Sequence, residues 1–290
     1  MSQVVKNWTD WLKNTRFSSF SEEQRAQTFG WLFSVRDRVL ANAKLEAGNI
    51  VVDIGTGTGL LAFGAYDILH GNGLVIASDK FSDCTDECKQ IAQAIGIKSG
   101  FDTLVSPADK LDLPDCYADR VVMRSVLVHI LDKEACIREF FRVLKQGGIL
   151  SFFEPIMSSN TKYSDLVRPE EITDYEKFKD IEYDITHDKS DPITNFDEIE
   201  LKGMLEKTGF SDIQVDEDII SSTYVVDGES VPQWFNSQPS PGSLSLKGRF
   251  LKYVSEEVFE RYLLELRKAL HGREITVSTR SVYILSLIHI

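Results

Sequence analysis

The chain has 290 residues, 42% of them hydrophobic and 27% charged, with a formal net charge of −13. That apolar share supports a sizeable core and excludes a disordered chain. The negative excess opposes close approach to phosphate backbones and anionic lipid, so neither nucleic acid nor a membrane is an expected partner.

In chain order, the first recognisable feature is an aromatic-rich leader, Trp8 to Leu12 followed by Arg16 to Phe20, too short to build its own core. Its simplest role is to be stapled onto the domain by Trp8 and Trp11; the functional alternative is a lid in which Arg16 pairs with a carboxylate. Ser21 then opens a helix to about residue 43, with Phe29, Leu32, Phe33, Val35, Val39 and Leu40 recurring at helical spacing. Ile50 to Ile54 read as a buried parallel strand. The next residues, Gly55, Thr56, Gly57, Thr58 and Gly59, put glycine at alternate positions, so the backbone there can turn tightly and approach a ligand without interference from Cβ. A dinucleotide fingerprint needs its third glycine at position 60, where Leu60 stands.

A second strand, Leu74 to Asp79, also ends in an acid. Cys84 and Cys88 are four apart on a probable helix; with Cys116 and Cys136 they lack C-x-x-C spacing and read as free core thiols, with no metal site expected. The stretch Leu111 to Val128 holds a fourth strand that ends just before His129, followed by a helix from a cap at Asp132 to Leu144, stopped by a left-handed Gly147, and a strand from Ile149 to Phe153. Phe196 to Lys207 is helical, Asp212 to Val226 and Glu274 to Leu287 are closing strands, and Ser255 to Leu270 is an amphipathic helix. Met157 to Asn195, strongly acidic, and Asp227 to Gly242 are insertions. Because open parallel sheets bind ligands beyond their strand ends, both are assigned with the leader to the substrate side. A merely solvated acidic surface loop is the plainer reading for Thr173 to Asp191. His70 is simply a helix-terminal residue, and the apolar chain end, Ser286 to Ile290, is given no function.

These segments together resemble the class I methyltransferases that use S-adenosylmethionine (SAM). The carriers are the glycine turn, the acids Asp53 and Asp79, the stretch Leu111 to Val128, and Phe141 to Leu150, which reads FRVLKQGGIL against the family's "RVLKPGG". The resemblance covers about residues 30 to 226. It implies an α/β fold: a Rossmann-like sheet, mostly parallel with an antiparallel closing strand, helices on both faces and helical lid insertions. No linker interrupts the strand–helix alternation, so a single domain over 1–290 is expected: a leader or lid at 1–45, a SAM-binding core at 46–156, the acidic substrate-side insertion at 157–196, and a closing half at 197–290 with a second insertion at 227–272.

The implied activity is transfer of the sulfonium methyl to an O, N or C nucleophile of a small organic molecule, in the cytoplasm. An NAD-linked oxidoreductase, or a SAM-binding protein without transferase activity, are the alternatives. The resemblance places Gly55, Thr56, Gly57, Thr58 and Gly59 against the methionine and ribose, with Asp53 fixing the turn and the cationic amine. Asp79 and Lys80 follow at the ribose, and the main chain near Arg124 accepts from the methionine amine. Where the family has Gly-Asp-Ala-Glu this chain has Ser106-Pro107-Ala108-Asp109, so the adenine amine is left to Asp109 or to a backbone carbonyl, with the Ala108 N–H a further contact. Should the acceptor be a hydroxyl, His129 and Glu154 are the candidate bases by topology.

Overall fold

The computed structural model describes residues 6–10, 21–238 and 243–288. Five parallel strands form its centre: β1 (Ile50–Ile54), β2 (Leu74–Asp79), β3 (Phe101–Val105), β4 (Ala118–Arg124) and β5 (Leu144–Pro155). Val51 lies opposite both Val75 and Arg120, Val75 opposite Phe101, and Val121 opposite Leu150. Val51, Val52, Val75, Val121 and Val122 have no exposed surface. Strands covered on both faces need such near-continuous β-branched runs.

Helix α1 (Glu22–Ala43) precedes the sheet, and α2 (Leu60–Leu69), α3 (Ser82–Ala94) and α4 (Lys133–Val143) connect its strands. The Asp132 carboxylate accepts from the Ala135 N–H at 2.8 Å and caps α4 as expected. Gly147 does not stop this helix. Leu144 is already extended at ψ 139° and almost fully buried, so the strand begins there and Gly147 turns within it, donating its N–H to the Ile288 carbonyl.

The sheet order is β3-β2-β1-β4-β5-β7-β6, where β6 is Ser211–Val225 and β7 is Glu274–Leu287. Backbone bonds from Gly147 to Ile288 and from Ile156 to Arg280 show β7 running against β5. The antiparallel closing strand is thus present. The chain winds outward from β1 to β3 and then returns to β4 on the other side of β1. Their carboxyl ends therefore flank the point where the winding reverses, which is where open α/β sheets bind ligands.

The chain divides into two compact units. The first lies within 1–154, 198–216 and 282–290 and contains α6 (Glu198–Thr208). Its core joins Val39, Leu40, Phe63, Val75 and Ile91, and Phe63 stacks on Phe101 with centroids 4.9 Å apart. Trp8 belongs to this core, against Phe29 and Phe33. Trp11 and Arg16 lie outside the described residues.

The second unit, 155–197 with 217–281, holds α5 (Tyr175–Thr186), α7 (Val231–Asn236), α8 (Leu246–Phe250) and α9 (Glu256–Leu270). Phe178, Phe235, Phe250, Phe259 and Tyr262 are buried together, with Phe178 stacked on Tyr262 at 4.1 Å. The acidic insertion is thus no solvated loop. Phe178, Ile181 and Ile185 recur on one face of α5, and that face is buried in the second unit's own core. Excising Met157 to Asn195 would remove part of that core. Among the described residues no helix is long and apolar enough to cross a membrane.

Candidate active site

The three glycines after β1 all have positive φ: 63° at Gly55, 53° at Gly57 and 82° at Gly59. They do different work. A Cβ at Gly55 would lie 2.6 Å from Val126 Cγ2, and one at Gly59 2.5 Å from Phe63, so both make room for packing. A Cβ at Gly57 would meet nothing within 4 Å. Gly55 is itself exposed, but of the three only Gly57 has open space in the direction a side chain would take.

Asp53 is buried and holds this turn from below. Its Oδ2 accepts from the Thr56 hydroxyl at 2.7 Å and from the Ala62 N–H at 3.0 Å, tying the strand end to the start of α2. Burial pushes its pKa up to about 7, against the two hydrogen bonds and with a smaller contribution from Asp79. Asp53 and Thr56 are therefore committed to the turn. The half-buried Thr58 offers its carbonyl to the Trp8 indole N–H at 2.7 Å, which seats the leader on the glycine turn. Trp8→Phe is expected to loosen the turn by about 1 kcal/mol, the net worth of one hydrogen bond; urea denaturation followed by tryptophan fluorescence checks it.

Asp79, at the end of β2, accepts from the Gly57 N–H through Oδ2 at 3.0 Å and from the Phe81 N–H through Oδ1 at 3.1 Å. Each oxygen keeps a further lone pair for a ligand hydroxyl. The Asp79 carbonyl accepts from the Ser106 N–H, bringing the 106–109 loop to the same strand end. There Ala108 is buried while Asp109 is exposed. Lys80 is exposed too, its Nζ 4.8 Å from the Phe81 ring centroid.

Sequence reasoning missed three apolar residues at or beyond strand ends. Phe81, Val105 and Leu131 are each more than half exposed. The available signal was an apolar residue placed where its strand has stopped, with no helix face to bury it.

Arg124 ends β4 half-buried. Its Cζ lies 4.8 Å over the Trp31 ring, and its Nε is buried without a hydrogen-bond partner among the described residues. Glu154, a candidate base by sequence, holds a structural position. It is fully buried, with Oε1 accepting from Val126 and Leu127 N–H at 2.7 and 2.8 Å and Oε2 from Val128 N–H at 3.1 Å. A carboxylate whose two oxygens hold three amides and reach no solvent braces the turn after β4. Burial pushes its pKa up to about 7 despite the three donors. His129 closes that turn and is exposed; partial burial of the ring, with Lys80 and Lys133 nearby, lowers its pKa and favours the neutral imidazole.

Residues 52–152 match the family model described as a methyltransferase domain. The ubiquinone/menaquinone biosynthesis C-methyltransferase UbiE of Xanthomonas campestris pv. campestris is 31% identical over 118 residues, 40% of this chain and 47% of that protein. The namesake from Francisella tularensis subsp. novicida is 29% identical over 133 residues, 45% of this chain and 53% of its own. The chain thus spans about half the length of the curated relatives it matches. Among solved structures, the YcgJ protein from Bacillus subtilis superposes with a TM-score of 0.57 at 15% identity, over 89% of this chain and 99% of that one. Phosphoethanolamine N-methyltransferase 2 of Haemonchus contortus, solved with phosphomonomethylethanolamine and S-adenosylhomocysteine, gives 0.53 at 16% identity, over 98% of this chain and 60% of that one. At such identities the likeness is one of fold. The NAD-linked alternative finds no support, since Leu60 opens α2 where the dinucleotide fingerprint requires its third glycine. The methyltransferase-domain match over residues 52–152 thus falls on a Rossmann-like α/β sheet, the fold it shares with these solved structures.

Proposed function

We propose that the protein transfers the methyl of SAM to an O, N or C nucleophile of a small organic molecule. The observation that carries this reading is the bare backbone at Gly57, opening at the switch point of the sheet beside the Asp79 carboxylate. These residues fit the cofactor: the glycine turn admits its methionine and ribose at close range, and the free lone pairs of Asp79 suit two ribose hydroxyls. The Ala108 N–H and Asp109 suit the adenine edge, and the Arg124 main chain the methionine amine. When bound, SAM supplies an electrophilic methyl and departs as a neutral thioether, so the chain's main task is to hold the acceptor in line. His129, exposed and favoured in its neutral form, can take a proton from an acceptor hydroxyl at its ring nitrogen. The strong net negative charge argues for a small acceptor over nucleic acid. Four free thiols accord with the reducing cytoplasm.

Calorimetric titration with SAM and with NAD, then transfer of labelled methyl from SAM into small-molecule extract fractions, tests this. Absence of SAM binding overturns the reading. Binding without transfer to any fraction would leave a SAM-binding protein in its place.

Asp79→Ala is expected to weaken SAM binding roughly 10- to 100-fold, because the ribose hydroxyls and the Gly57 amide lose a charged acceptor together. Calorimetry reads this directly. Unchanged affinity would remove Asp79 from the site.

A further inference from the structure

We infer that the second half of β6, residues 219–225, is a self-recognition strand: two copies of the protein pair along this edge in antiparallel register. The strand and the part of β7 beside it belong to the second unit, so the inference is independent of the cofactor reading.

β6 stands at one end of the sheet order, with β7 on one side and no strand on the other among the described residues. Three contacts fix its register against β7. The Val226 N–H donates to the Arg273 carbonyl, the Ser221 and Ser278 hydroxyls meet at 2.7 Å, and those of Thr223 and Thr276 meet at 2.8 Å. All three belong to one register, so no bulge intervenes. Backbone groups alternate in an antiparallel ladder, so Tyr224, Ser222 and Ile220 turn their N–H and C=O to β7 as Val226 does. Those of Ile219, Ser221, Thr223 and Val225 then point to the free edge. Ser278 agrees with this alternation, since its backbone bonds go to Thr161 on the far side of β7.

Edge strands are ordinarily guarded by charge, proline or a bulge. The first half of β6 is guarded, by Asp212, Asp216, Glu217 and Asp218. The second half, Ile219-Ile220-Ser221-Ser222-Thr223-Tyr224-Val225, carries no charge, proline or glycine. All of these residues are exposed, Ile219 and Val225 by more than half.

The order of the residues points to a second copy as the occupant. Turned antiparallel about Ser222, the segment sets Ile219 opposite Val225, Ile220 opposite Tyr224, Ser221 opposite Thr223, and Ser222 opposite its own copy. Apolar meets apolar and hydroxyl meets hydroxyl at every position, and such cross-strand pairs stabilise a sheet. The outward amides and carbonyls of Ile219, Ser221, Thr223 and Val225 satisfy one another in the same register. Moving the axis toward the start of β6 would carry Asp216, Glu217 and Asp218 over the partner strand, so the acids hold the register. The paired stretch is only about 24 Å long, which suits a weak, reversible dimer. With a net charge of −13 on each copy, repulsion opposes association and salt relieves it.

Sedimentation of the full chain over a concentration series, at low and at high salt, tests this. The wild type should form a dimer that grows with concentration and tightens with salt. Ser222→Lys and Ser222→Glu each place like charges face to face on the axis and should weaken the dimer at least about 10-fold. Their thermal midpoints should match the wild type's, because Ser222 is exposed. An equimolar mixture of the two variants should dimerise again, since Lys meets Glu only if position 222 lies opposite itself. A wild type that stays monomeric at every concentration overturns the inference and leaves the edge to a different strand. A dimer that Ser222→Lys does not weaken, or a mixture that stays monomeric, overturns it as well, because the axis would then not pass through Ser222.

Discussion

Gly57→Val is expected to fold and yet lose at least 100-fold in SAM affinity. Gly57 sits at φ 53° with nothing within 4 Å of the place its Cβ would take, so the added Cβ collides with no protein atom. The cost to the fold is that of a β-branched residue in the left-handed region, about 1–2 kcal/mol. The cost to binding is larger, because an isopropyl group would occupy the space through which the cofactor meets bare backbone. The check is calorimetry with SAM paired with thermal unfolding on the same preparation. A folded variant that binds SAM normally would refute the assignment of the glycine turn. The neighbouring glycines offer no such separation, since a Cβ at Gly55 or Gly59 strikes Val126 or Phe63 inside the protein.

Glu154→Ala should act in the opposite way, on stability first. Three buried amides would lose their acceptor at once, at a cost of roughly 3–5 kcal/mol, and the turn from Val126 to His129 would lose its brace. Urea denaturation measures this; a loss below about 1 kcal/mol would mean that the turn holds itself.

The same carboxyl makes a pH prediction together with Asp53. Both have folded-state pKa values raised to about 7 by burial, above their ordinary values of 4.5 and 3.8. The folded state then keeps these protons to higher pH than the unfolded chain does. Their contribution to stability is full below the ordinary carboxylate range and drains as the pH rises towards 7, at about 1.4 kcal/mol per pH unit for each carboxyl. Carboxyls that are held down titrate below this window, Glu139 through Arg142 and Glu171, at about 2, through Arg273 and Arg168. Stability measured from pH 5 to 7.5 should therefore fall. The Asp53→Asn, Glu154→Gln double variant should give a flatter profile, and a wild-type profile that rises through the window would contradict the assignment.

Much of the cofactor half was legible in the chain because its signals are local. A buried β-branched run ending in an acid, glycine at alternate positions, and an aspartate three residues before the amide it caps each depend on neighbours a few residues away. For the same reason most strand and helix bounds fell close to those observed. The fourth strand is one exception, stopping at Arg124 rather than just before His129, and the fifth is another, where pairing with Ala118 draws Leu144 into the sheet ahead of Gly147. What only the tertiary structure decided is what each charged or aromatic group faces. Glu154 reads as a candidate base in the chain, but the amides it holds lie 26 to 28 residues away. Trp8 meets Thr58 across 50 residues, and the guanidinium of Arg124 is left facing an indole. The second unit was least visible, because its core joins Phe178 to residues from Val226 to Ile275. Acidic residues on the outer face of such a helix look the same in a sequence whether or not its other face is buried. Burial and pairing are properties of the assembled chain, and they separate a catalytic carboxylate from a structural one.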